Sequence, residues 1–119
     1  MREIKHHHCG PLNNSLVVTT TDELTAGGAN FRYAIGHDVH GTLLEIVFHT
    51  GPFENDMPKG ITGEALLAIL IDRLQSFQAG PFNCRENAIA VTHLQDAMHW
   101  LQHRTRDRLE RGVEGQALP

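Results

Sequence analysis

The feature that most constrains the fold is an unbroken helical periodicity over residues 83–111, with no proline or glycine until Gly112. Ala90, Leu94, Ala97 and Leu101 form its apolar stripe, flanked by Met98 and Trp100. Asn83 stands three residues before Glu86, the spacing of a capping box with asparagine as the cap. A helix of this length spans about 40 Å, whereas a small domain is about 30 Å across. Such a helix should project from its own domain and pair with another subunit.

The segment before it has the same period. Leu66, Leu67, Ile69, Leu70, Ile71 and Leu74 predict a helix over residues 63–78, with Thr62 as its cap and Gly80-Pro81 as its stop. Upstream the period changes to two. Residues 16–21 are β-branched, residues 31–35 alternate apolar and polar, and residues 42–49 follow Gly41, which together predict a three-stranded antiparallel meander. Residues 1–15 read as an irregular lead-in, 22–30 as a loop around Gly27-Gly28, and 51–60 as a loop carrying two prolines. The expected class is α+β in a single domain. A small N-terminal antiparallel sheet occupies residues 1–62, a C-terminal helical hairpin with one long helix occupies 63–112, and 113–119 form a frayed tail.

Composition narrows the function. A net charge of -4 over 119 residues argues against a nucleic-acid polymer as partner, since such binders carry broad basic faces. No run of about 18 apolar residues could cross a membrane, and the start lacks a secretory signal, so a cytoplasmic protein is expected. Cys9 and Cys84 are too isolated for a disulfide framework or a zinc site.

The basic residues are distributed unevenly. Eight of the ten are arginine, and Arg104, Arg106, Arg108 and Arg111 fall in one short segment. Planar guanidinium groups suit bidentate recognition of a small anion. Arg104, Arg108 and Arg111 share a helix face as successive neighbours, with Asp107 expected to point away; equally, they could simply complement the helix C-terminal dipole. Phe77 or Phe82 could stack a base, or simply plug the core or hinge between the two helices; Asn87 could read the base edge, and Arg104 and Arg108 could clamp its phosphates. The Gly27-Gly28 loop could form an anion-binding concavity with Asn30 and Arg32 at its edge, or a plain hairpin connection.

Other constellations are weaker. His6-His7-His8-Cys9 has metal-ligand residue types but consecutive positions, so no metal is expected there. His37, Asp38 and His40 hold the groups of a hydrolytic site, and a polar turn between strands accounts for them as well. No nucleophile elbow, zinc-protease helix, phosphate loop or dinucleotide fingerprint is present.

Five stretches taken in order carry a family resemblance: Gly27 to Tyr33, Leu66 to Gln78, Gly80 to Ala88, Trp100-Leu101, and Arg104 to Glu114. Together they resemble the Thoeris anti-defence sponge proteins of phages, and the helical part resembles the hairpin shared with phage anti-CBASS sponges. The resemblance implies a homo-dimer or homo-hexamer in the host bacterial cytoplasm. It implies a protein without cofactor that sequesters cyclic ADP-ribose isomers without hydrolysing them, with cyclic dinucleotides or trinucleotides as further ligands of some relatives. It places base stacking at Phe77, the base-reading amide at Asn87 and phosphate contacts at Arg104 and Arg108, with Asn30, Arg32 and Arg85 at further pattern positions. The histidine run near the start departs from the pattern. Two rival readings remain, a cyclic-nucleotide hydrolase built on His37, Asp38 and His40, and a structural phage protein whose long helix is an assembly contact.

Overall fold

The computed structural model describes residues 1–112, so the expected tail at 113–119 lies outside the described residues. The chain forms two compact units, residues 1–61 and a second beginning at Thr62.

The first unit is an antiparallel sheet of four strands, not three. β1 (Glu3–Ile4), β2 (Val17–Thr20), β3 (Arg32–His37) and β4 (Gly41–Val47) lie side by side in chain order. β1 falls in the stretch expected to be irregular. Two residues carry too little pattern to be read as a strand, and β1 forms because β2 offers it an edge: Glu3 pairs with Thr19 and Ile4 with Val18. The buried Thr20 hydroxyl accepts from Arg2 N–H at 2.9 Å, extending that pairing by one residue. A four-residue helix, α1 (Pro11–Asn14), bridges β1 and β2, and His7 Nε2 lies 2.6 Å from the Leu16 carbonyl at the foot of that bridge.

Between β3 and β4 the register shifts at Ile35/Gly36, where β4 gains a residue. The alternating strands put Val18, Tyr33, Ile35, Leu44 and Ile46 on one face and Thr19, Ala34 and Glu45 on the other. Tyr33 packs edge-on against Phe48 with ring centroids 5.7 Å apart. Residues beyond β4 loop out and return so that Ile61 pairs in parallel with Phe48. His49 closes the neck of that loop: Lys59 N–H donates to its Nδ1 at 2.9 Å, and its Nε2 lies 3.0 Å from the Gly51 carbonyl. Any side chain at Gly60 would collide with the backbone of Val47 and Phe48, so the return needs glycine.

The second unit is a helical hairpin. α2 (Gly63–Gln78) starts at Thr62, whose hydroxyl accepts from Ala65 N–H at 3.1 Å, and α3 (Arg85–Glu110) follows a short turn. The cap of α3 is Cys84, not Asn83. Cys84 has the extended backbone of a cap and its Sγ accepts from Asn87 N–H at 3.4 Å, while the Asn83 amide donates back to the Gly80 carbonyl. The shift by one residue follows from the Gln78 side chain. It accepts from Cys84 N–H and donates to the Cys84 carbonyl, both at 2.9 Å, pinning Cys84 as the last extended residue. The inner face of α3 is led by Val91, the one apolar side chain among the described residues that is less than a tenth exposed. Trp100, expected beside the apolar stripe, is 66% exposed. It lies on the far side of the helix, its ring edge-on to His99 and His103.

Candidate functional site

The expected ligand-binding residues fall into three places. Phe77, Arg85 and Asn87 gather at the closed end of the helical hairpin, Arg104 and Arg108 lie far along α3, and Asn30 and Arg32 belong to the sheet unit.

At the closed end, Phe77 occupies the last turn of α2 and is half-buried. Its ring lies 6.3 Å from that of Phe82, which is exposed and tilted by 59°. The Arg73 guanidinium carbon sits over Phe77, 5.0 Å from the ring centroid. Asn87 is half-buried in the first turn of α3, directed there by the Cys84 cap. Its backbone N–H is taken by Cys84, whereas its side-chain amide makes no hydrogen bond among the described residues. A half-buried amide with unused donor and acceptor capacity can read the edge of a planar base, and an aromatic ring can stack one. Arg85 is exposed in the same turn.

At the other end of α3 the arginines differ from one another. Arg104 is exposed and makes no hydrogen bond or ion pair among the described residues. Arg108, expected on an open cationic face, is buried to 4% exposure. Asp107 does not point away: it accepts from Arg111 Nε at 3.1 Å, because residues four apart stand one above the other on a helix. The Arg111 charge is thereby partly neutralised within its own turn.

Asn30 is 8% exposed and its side chain is spent locally. Its amide donates to the Asp22 backbone carbonyl at 2.9 Å and to Asp22 Oδ1 at 3.1 Å, and its Oδ1 accepts from Arg2 at 2.9 Å. Asp22 also accepts from Phe31 N–H at 2.9 Å, and this backbone hydrogen bond, the largest of several causes, holds its carboxyl below the ordinary carboxylate range. Asn30 therefore braces the loop that precedes β3, while Arg32 extends from β3 exposed. In the glycine loop, Gly28 N–H already donates to the Thr25 carbonyl at 2.9 Å, which favours the plain connection over an anion cradle.

The rival hydrolytic cluster is likewise a turn. His37 Nδ1 accepts from Val39 N–H at 3.0 Å and from His40 N–H at 3.3 Å, so its lone pair caps the turn between β3 and β4. A shallow groove on the sheet, lined by Val17, Thr19, Ala34 and Gly36 with His37 and Asp38 at one end, contains none of the expected ligand residues. Among the described residues no group of three or more potential ligands could hold a metal ion, and no helix is long and apolar enough to cross a membrane.

Three residues at the closed end have roles beyond those expected from the sequence. Gln78 and Cys84 set the turn through hydrogen bonds between groups six residues apart, which no periodicity reveals. Arg73 was readable, since it precedes Phe77 by four residues on α2 and so lies on the same face.

The sheet unit and a helical hairpin bearing ring, amide and guanidinium groups define a small α+β protein with the residue types of a nucleotide-binding surface. Residues 41–106 match the family model described as "Acb2/Tad1, hairpin domain". The chain belongs to this Acb2/Tad1 hairpin family, in agreement with the resemblance carried by its motifs. It is also 44% identical over 88 residues to Thoeris anti-defense 1 of Bacillus phage SBSphiJ7, a match that covers 74% of this chain and 62% of that relative.

Proposed function

We propose that the protein is a phage anti-defence sponge that binds cyclic ADP-ribose-type signalling nucleotides in the cytoplasm of the infected bacterium and holds them without cleaving them. The observation that carries this reading is that Phe77 and Asn87 fall at the same end of the hairpin, in the last turn of α2 and the first turn of α3, and that the Asn87 side-chain amide makes no hydrogen bond among the described residues. The name of the phage relative supplies the biological setting. The turn-capping role of the His37 ring favours sequestration over hydrolysis, because a general base needs the lone pair that the backbone has taken.

Spacing along α3 supports a site shared between copies. Asn87 and Arg104 are seventeen residues apart on one continuous helix, about 25 Å at 1.5 Å per residue, and Arg108 is about 6 Å further. A single cyclic mononucleotide-sized ligand is smaller than that. Phe77 and Asn87 of one copy therefore meet Arg104 and Arg108 of another when two α3 helices lie antiparallel, where guanidinium groups can make charge-assisted contacts to phosphate. Exposed Ile69, Leu70, Leu101 and Leu109 provide apolar surface for such an assembly, whether dimer or hexamer. Asn30 acts by bracing its loop, and Arg85, exposed in the first turn of α3, supplies a further cationic contact at the closed end of the hairpin. Cyclic dinucleotides or trinucleotides are secondary ligands on this reading.

Calorimetry against a panel of cyclic ADP-ribose isomers and cyclic oligonucleotides tests it. Arg104→Ala and Asn87→Ala should each weaken binding of the preferred isomer by about 2 kcal/mol while the oligomer stays folded. Phe77→Ala should cost about 1–3 kcal/mol through lost stacking. An absence of binding to every member of the panel would refute the sponge and favour the assembly-protein reading.

A further inference from the structure

The face of Phe77 that carries the Arg73 guanidinium cannot also receive a base. We infer that Arg73 is a positioning residue of the nucleotide site, covering one face of Phe77 so that a base stacks on the opposite face of a ring held and polarised by a cation. This rests on the stacking role of Phe77 proposed above.

Three observations support it. The guanidinium carbon lies 5.0 Å from the Phe77 centroid, within the range at which a cation is attracted by the ring quadrupole. Arg73 is exposed and makes no ion pair or hydrogen bond among the described residues, so no carboxylate competes for its charge. Phe82, the other neighbour, is tilted by 59° at 6.3 Å, a geometry that flanks the ring without lying flat on it. A ring restrained on one face and at its side keeps few rotamers, so less entropy is lost when a base settles on the other face. The positive charge also lowers the energy of an anionic nucleotide in the site.

The test separates charge from bulk. Arg73→Met keeps the length of the side chain and removes the cation, whereas Arg73→Lys keeps a cation that can sit over the ring. With the cyclic ADP-ribose isomer that the unaltered protein binds most tightly as the probe, Arg73→Met should raise Kd about 5- to 10-fold and Arg73→Lys no more than about 3-fold. Both variants should unfold within a few degrees of the unaltered protein. Equal weakening in the two variants would show that the planar group or its packing acts rather than its charge, and would overturn the inference. Unaltered binding by Arg73→Met would overturn it too. In that case Phe77→Ala decides what else falls: weakened binding would leave the stacking site standing without Arg73, and unaltered binding would remove the Phe77 site itself.

Discussion

At Asn30 the side chain that the family pattern places near a ligand is already engaged by Asp22 and Arg2, and its burial leaves little of it for anything outside its loop. Residue type and position were legible in the sequence at Asn30, as they were at Asn87, but occupancy was not. Hydrogen bonds between Arg2, Asp22 and Asn30 join parts of the chain up to 28 residues apart, and no local pattern encodes them. The Asp22 carboxylate gives this cluster a pH dependence. Its folded-state pKa is lowered, chiefly by the Phe31 N–H, so the unfolded chain binds the proton more readily. The contribution is fully present above the ordinary carboxylate value and is lost as pH falls through it toward the depressed folded value. Hydrogen exchange at the Phe31 amide should accelerate in that acid window, after allowance for intrinsic rates, and Asp22→Asn should abolish the transition. A Phe31 amide whose protection ignores Asp22→Asn would contradict this assignment.

Among the elements, α2 and α3 were readable because a 3.6-residue period sustained over many turns outweighs local noise, and β2, β3 and β4 were readable from β-branched and alternating residues. β1 was not, since two residues become a strand only against a neighbour. Asparagine is the stronger cap by type, so sequence alone points to Asn83, yet Gln78 fixes Cys84 in the capping position. A thiol is a weak acceptor at that position. Cys84→Ser should therefore stabilise the hairpin, by about 0.5–1 kcal/mol, and Cys84→Ala should destabilise it by a similar amount. Denaturant unfolding of the three proteins measures both, and an Asn83→Ala variant should leave the cap contribution intact.

For the whole molecule, the length of α3 is the consequential quantity: α3 has 26 residues and α2 has 16, leaving about 15 Å of α3 beyond the length of α2. The proposed site needs that length, since it sets Phe77 and Asn87 apart from Arg104 and Arg108. Complementation follows from a shared site. Phe77→Ala and Arg104→Ala proteins, each weak alone, should when co-expressed yield mixed oligomers in which one site has lost both groups and another is intact. A fraction of sites would then bind a cyclic ADP-ribose isomer with unaltered affinity, and recovery of none would place all four groups on one chain or outside the site.

The central claim is that the nucleotide is held and not changed. The direct measurement is to incubate the protein with its tightest-binding cyclic ADP-ribose isomer until free nucleotide is depleted, denature the complex by heat, and analyse what is released. Full recovery of the intact isomer is the predicted result; a linear or otherwise cleaved product would contradict the sponge and return His37, Asp38 and His40 to consideration as a catalytic site.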